Sequence, residues 1–295
     1  MLTKIRAYIE ILRMRHYVKN LLIFIPYVFS YGKFENEKAL FFRVCLGVSF
    51  FSMASSLVYI FNDINDKEKD RLHPVKCKRP LACGKISVRE AFGEGGVLLT
   101  FILFGIIYFW EYGYYSILLY LGLNVLYTCW FKKAPIFDVI SLSCCYLIRV
   151  LFGCQLLGVK MSNWLYLTAL SFSLYVSVEK RAGEILVAEK TGETARNVLT
   201  DYSVGFLKSV RDVCLSLTIV FYSLWCTSPG IALRFHSEAI RVSTIFVIAI
   251  LLRYHLDIFK NLEGEPVDIF YHDIVLMLLI VLFFGFIFLC MIGIL

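Results

Sequence analysis

The sequence predicts an all-α integral membrane protein, with nine transmembrane helices in a single domain spanning residues 1–295. Three observations predict it. The chain of 295 residues is 59% hydrophobic and 18% charged, with a mean hydropathy of +0.72, whereas soluble globules carry roughly 25% charged residues. Nine apolar runs of spanning length follow one another with short polar interruptions. The basic residues are distributed unevenly between alternate interruptions, as orientation in a bilayer requires.

Nine segments of about 20 residues occupy about 180 positions, so no length remains for a large soluble domain. The net charge of +7 is therefore first a matter of orientation. Disorder and nucleic-acid binding are excluded as its explanation, and no nucleic-acid partner is expected.

Taken in order, the first run covers 18–31 and is marginal in length, with Pro26 inside it; residues 5–17 read as an amphipathic approach. The others cover 40–61, 92–110, 114–130, 135–157, 161–179, 207–228, 239–259 and 273–294. No small-x-small cleavage site follows the first run near Ser30 and Tyr31, so a removable signal peptide is not expected. With the N-terminus cytoplasmic, segments 1–19, 62–91, 131–134, 180–211 and 253–272 hold 23 of the 30 lysines and arginines. An odd number of spans places the C-terminus outside. The cytoplasmic segments are also the long ones, so function is expected there. The ten cysteines include no C-x-x-C pair and mostly lie within spans, which points to packing rather than to zinc or disulfides.

The second run ends in Tyr59-Ile-Phe-Asn62-Asp63-Ile-Asn-Asp66-Lys-Glu-Lys-Asp70-Arg71. Asn62, Asp66 and Asp70 are spaced i, i+4, i+8, so a helix continuing past the bilayer sets them in one ladder with Asp63 beside it. Carboxylates so placed repel unless a cation lies among them, and an all-oxygen set suits Mg²⁺. A solvated helix end with internal ion pairs is the alternative. Directly afterwards come Arg71, His73, Lys76, Lys78 and Arg79, with Pro74 and Pro80 fixing the loop. Carboxylates for a metal followed by guanidinium and ammonium groups are the parts that grip a diphosphate. A juxtamembrane basic cluster for anionic lipid explains the positive charge but not the carboxylate register.

The stretch N-D-x-x-D-x-x-x-D-R-x-H-P-x-K-x-x-R-P-L-A-x-G, beginning at Asn62, resembles the first aspartate motif of the UbiA superfamily of membrane prenyltransferases. More narrowly it resembles the branch that transfers phosphoribose to decaprenyl phosphate. Near the start, Arg13-Met-Arg-His-Tyr17-Val-Lys19-Asn20-Leu-Leu is similar to that branch's R-P-x-x-W-x-K-N-L-L signature, with Met14 for proline and Tyr17 for tryptophan. The second D-x-x-x-D motif of prenyl-transferring relatives is absent. In its place stand Glu179, Lys180, Arg181 and Glu184, then Arg196 and Tyr202. Lysine and arginine bind phosphate oxygens directly, where a second carboxylate cluster would bind another metal.

The resemblance implies a UbiA-type bundle around a central cavity open to the cytoplasm and laterally to lipid, with catalytic loops near 62–91, 131–138 and 180–206. It implies phosphoribosyl diphosphate as donor, a polyprenyl phosphate as acceptor and Mg²⁺ as cofactor, within a bacterial or archaeal cytoplasmic membrane and for cell-envelope glycolipid synthesis. Asp63, Asp66 and Asp70 are then catalytic, and Asn62, Asp66 and Asp70 hold the metal. Lys19, Asn20, Tyr59, Asn62, His73, Lys76, Arg79, Lys132, Asp138, Arg149, Lys180, Arg181, Glu184, Arg196 and Tyr202 are implied to bind substrate. Arg149 lies about three turns into a span, where it must meet an anion or a polar group on another helix. Asp138, eleven residues earlier, shares its helix face. Gly153 and Gly158 read as close-packing positions. Arg253-Tyr254, Gly264-Glu265-Pro266 and Asp273 resemble the branch's late segment and carry no assigned chemistry. Membrane lipids surround the chain, and a homo-oligomer is left open. Two other readings also stay open: transfer of a prenyl group from prenyl diphosphate to an aromatic or glycerol-phosphate acceptor, and a non-enzymatic lipid-carrier or assembly role.

Overall fold

The computed structural model describes residues 2–32, 34–72, 76–191, 197–228, 230–231, 235, 238–260 and 271–294. Its regular elements are helical. Contacts divide the chain into two compact units, the first comprising Met1–Tyr27, Asn36–Thr128 and Ile148–Val159 and the second Val28–Glu35, Cys129–Leu147 and Lys160–Leu295.

In the first unit, α1 (Leu2–Ile11) presents Ala7 and Ile11 to a buried cluster with Ile60, Leu81, Ile86 and Ala91, while Ile5 and Ile9 stay exposed. This is the alternation expected of an amphipathic approach helix. It stops at Arg13, whose left-handed backbone (φ 52°) ends the α-helix. The run predicted as a spanning helix over 18–31 is instead a 3-10 helix, Met14–Phe24, followed by the single turn α2 (Ile25–Val28). One reason is Pro26 inside that turn, which has no N–H to donate to a longer α-helix. A second is the close approach of Gly153, where an added Cβ would lie 2.3 Å from the Ile23 carbonyl oxygen.

The helix α3 (Glu37–Leu72) has 36 residues. At 1.5 Å per residue it is about 54 Å long, well beyond a hydrocarbon core of about 30 Å, so its last turns, with the carboxylate ladder, project from the apolar stretch. The helix α4 (Val88–Tyr108) starts at a capping box, in which Ser87 accepts from the Glu90 N–H and Glu90 accepts from the Ser87 N–H. Lys4 of α1 pairs with Glu90 at 2.5 Å. The helix α5 (Tyr115–Cys129) follows. The helix α6 (Phe137–Leu156) contributes its last residues to this unit and its first to the other. Gly153 permits close packing, as the sequence suggests. Gly158 does not: nothing lies within 4 Å of its added Cβ, and its φ of +66° marks a left-handed turn after α6.

The second unit contains α7 (Asn163–Thr191), α8 (Val204–Thr227), α9 (Ser243–Lys260) and α10 (Ile274–Met291). Tyr222, Trp225, Phe235, Ile240, Phe283 and Ile287 form one apolar core, and Val139, Val178, Ile185, Val198 and Leu199 another. Eight of the nine predicted runs coincide with α3–α10. Among the described residues five helices are long and apolar enough to cross a membrane: Glu37–Leu72, Val88–Tyr108, Phe137–Leu156, Glu238–Ile258 and Ile274–Met291. The helix α5 has 15 residues, while α7 and α8 are interrupted by Ser, Asp, Glu, Lys and Arg side chains.

Replacing Gly153 by alanine is expected to lower stability by about 1–3 kcal/mol through the clash with Ile23, read as a lower thermal midpoint in detergent. Gly122→Ala, where nothing lies within 4 Å, should leave that midpoint unchanged or higher.

Candidate active site

In the first unit the site grows from the projecting end of α3. The i, i+4, i+8 spacing sets Asn62, Asp66 and Asp70 along one face, and Asp63 and Asp70 are buried. Two guanidiniums satisfy the buried pair. Arg13 donates to Asp63, and Arg79 Nη1 donates to Asp70 Oδ2 at 2.5 Å and to Asp63 Oδ1 at 3.3 Å. The cations that relieve the ladder's repulsion here are arginines.

Both arginines are placed by local structure. Arg13 owes its direction to its left-handed backbone, and its guanidinium lies 5.1 Å from the Tyr59 ring centre, with His16 on that ring at 5.2 Å. Arg79 follows a short 3-10 turn, Lys76–Lys78, and its N–H donates to the Lys76 carbonyl. The loop beyond is held by Arg71 Nε donating to the Ala82 carbonyl and by the buried Pro80, Leu81 and Ile86. Asp66 and Lys76 are half-buried. His73 and Arg196 lie outside the described residues.

Asn62 is held from α5, where Thr128 Oγ1 lies 2.7 Å from its Oδ1. Asn62, Asp66 and Asp70 offer oxygen alone, which suits a hard divalent cation. Among the described residues no three His, Cys, Asp or Glu side chains converge as a preformed metal cluster, and Asp70 is engaged by Arg79. The donors fit Mg²⁺ in kind, as oxygen ligands.

Deeper in this unit Arg149 and Asn20 come together. Arg149 Nε donates to Asn20 Oδ1 at 2.8 Å, and Asn20 Nδ2 donates to Ser52 Oγ at 2.9 Å. The Arg149 guanidinium also lies 5.0 Å from the Phe51 ring centre and 4.9 Å from that of Tyr120. Both residues are buried, so the intramembrane arginine meets a polar group on another segment. Lys19, next to Asn20, is half-buried.

The second unit holds a separate knot. Arg181 Nε donates to Asp138 Oδ2 at 2.6 Å and Arg181 Nη1 to Glu184 Oε2 at 2.7 Å, while the Tyr202 hydroxyl donates to Asp138 Oδ1 at 2.6 Å. Asp138 and Arg181 are each 0% exposed. Burial, reinforced by the Asp138 carboxylate, pushes the Tyr202 hydroxyl up to about 12, so it remains a donor at neutral pH. The same oxygen accepts from the Ile136 N–H. Ile136 has φ 69°, a conformation rare for a β-branched residue, and this bond helps hold it. The structure thus brings together four residues assigned to substrate from the sequence, Asp138, Arg181, Glu184 and Tyr202. Lys132 and Lys180 are half-buried nearby in sequence.

Sequence reasoning missed three features. Arg13 opens the R-x-x-x-x-x-K-N stretch, yet its left-handed backbone has no residue signature. Thr128 stands in the Tyr127-Thr-Cys-Trp run before Lys132, where a threonine carries no spacing signal. A buried network joins Glu179 Oε1 to His255 Nδ1 at 3.0 Å and to Arg211 Nε at 3.5 Å, with Tyr175 Oη 3.1 Å from His255 Nδ1; its members share no motif. Arg253 pairs with Asp273, which caps α10. Gly264, Glu265 and Pro266 lie outside the described residues.

Residues 21–287 match the model of the UbiA prenyltransferase family. A decaprenyl-phosphate phosphoribosyltransferase of Mycobacterium tuberculosis is 31% identical over 275 residues, 92% of this chain and 89% of that protein. The protein of that name from Mycolicibacterium smegmatis is 30% identical over 288 residues, 94% and 90% of the two chains. A UbiA homologue from Archaeoglobus fulgidus bound to GPP and Mg²⁺ has the same fold, with a TM-score of 0.70 at 20% identity over 97% of this chain and 99% of that one. The apolar helices and these likenesses together make this an integral membrane protein, and the chain belongs to the UbiA prenyltransferase family.

Proposed function

We propose that the protein transfers the 5-phosphoribosyl group of phosphoribosyl diphosphate to a polyprenyl phosphate, releasing diphosphate. The observation that carries this reading is the knot around Arg181. Arg181 pairs with both Asp138 and Glu184, so where prenyl-transferring relatives hold a second metal-binding carboxylate motif this chain places a guanidinium between two carboxylates. The names of the mycobacterial relatives agree with that reading.

Asn62, Asp66 and Asp70 would hold Mg²⁺, which when bound supplies positive charge to the diphosphate. Arg79 and Lys76 share the leaving group's charge. Departure of diphosphate breaks the bond at the anomeric carbon of the ribose, and a phosphate oxygen of the acceptor forms the new bond from the opposite face, inverting that centre. No strong base is required, since a phosphomonoester with a second pKa of about 6 is already largely ionised at pH 7. The protein's task is to hold two anions together, and Lys19, Lys132 and Lys180 are the lysines assigned to it. Asp63, tied to Arg13 and Arg79, orients those cations rather than taking a proton.

Detergent-purified protein with Mg²⁺, labelled phosphoribosyl diphosphate and a polyprenyl phosphate is expected to form an acid-labile labelled lipid. Asp66→Ala should reduce the rate by roughly 100-fold or more. No labelled lipid with any divalent metal would overturn the assignment. The knot makes a second prediction. Arg181→Gln leaves Asp138 buried without its charge partner and should cost about 3–5 kcal/mol of stability, seen as a lower thermal midpoint. Lys180→Gln should leave the midpoint in place and raise a substrate KM.

A further inference from the structure

We propose that Thr128 is a positioning residue that sets the Asn62 side-chain amide so that its oxygen, not its nitrogen, faces the metal. The inference rests on the reading of Asn62 as a metal ligand. Thr128 is buried on the last turn of α5, and its Oγ1 lies 2.7 Å from Asn62 Oδ1 and 2.9 Å from the carbonyl oxygen of Asn124, one turn earlier on the same helix. Both neighbours are acceptors, and a hydroxyl has one proton. In this arrangement the proton must serve two oxygens, while the Asn62 NH₂ group is turned away from Thr128.

Turning the amide by half a revolution resolves the conflict without moving any other group, because its oxygen and nitrogen occupy equivalent places. Asn62 Nδ2 then donates to Thr128 Oγ1, and Thr128 donates to the Asn124 carbonyl, the usual i−4 bond of a helical threonine. Every proton has one acceptor. Asn62 Oδ1 is now the outward atom, and an oxygen is what a hard cation accepts, whereas an NH₂ group repels it. Asn124 is itself fixed, its Nδ2 donating to the Tyr120 carbonyl at 2.7 Å. Thr128 thus acts on the metal only through Asn62, as an acceptor that fixes which end of the amide points out.

The test is Mn²⁺ binding to the full chain in detergent without substrate, followed through the electron paramagnetic resonance signal of free Mn²⁺, with thermal midpoints measured in parallel. Asn62→Ala and Thr128→Val should each weaken Mn²⁺ by about 10–100-fold, and Thr128→Ser, which keeps the hydroxyl, should restore it. Asn62→Asp has two like oxygens and needs no orienting, so adding Thr128→Val to it should leave Mn²⁺ affinity unchanged. If Thr128→Val folds poorly, Thr128→Ala reads the same loss. Weakened binding in Asn62→Ala with wild-type binding in Thr128→Val overturns the positioning role alone. Unchanged binding in Asn62→Ala overturns the ligand reading on which it rests.

Discussion

The end of α3 carries two carboxylates that the fold has largely removed from water, Asp63 and Asp70, and much of the first unit is arranged so that they can stay charged. Arg13 and Arg79 reach them from opposite sides in sequence, one fifty residues upstream and the other nine downstream of its partner. Removing a partner from a buried ion pair of this kind typically costs about 3–5 kcal/mol, because the remaining charge is stranded. The left-handed break after α1 aims Arg13. Packing of Leu81 and Ile86 against Ala7 and Ile11 fixes the loop that delivers Arg79. A basic loop that orientation alone would leave hydrated is thereby docked on the carboxylates.

The same arrangement suits phosphate chemistry. A guanidinium binds phosphate oxygens as well as carboxylate oxygens through its N–H donors. The second unit uses the opposite solution for its own arginine. Arg181 is buried with Asp138, Glu184 and the Tyr202 hydroxyl around it, which ties the start of α6 to the segment after α7. Its neighbour Lys180 is half-buried. Arg79 keeps 25% of its side chain exposed, whereas Arg181 is wholly buried.

What was legible in the sequence had a short period. The ladder at Asn62, Asp66 and Asp70 follows from helical spacing alone, and the length of α3 supports the continuation of the helix beyond its apolar stretch. Apolar runs located α3–α10. What was not legible depended on partners distant in the chain or on backbone shape. The run over 18–31 looked like a short helix because hydropathy does not distinguish α from 3-10 geometry, nor reveal that Gly153 closes on Ile23. Asp138 and Arg149 share a helix, and periodicity grouped them. The structure gives each a separate partner, Arg181 for one and Asn20 for the other. The network of Glu179, Arg211 and His255 draws single residues from three helices and has no local pattern to read.

The proposed donor is a phosphoribosyl rather than a prenyl diphosphate. One reaction tests it most directly: the purified protein with Mg²⁺ and equal amounts of both donors, each separately labelled, in the presence of polyprenyl phosphate, 4-hydroxybenzoate and glycerol phosphate. The expected result is that label passes to an acceptor from phosphoribosyl diphosphate alone. Transfer of the prenyl label to either of the other acceptors, with none from phosphoribosyl diphosphate, would contradict it.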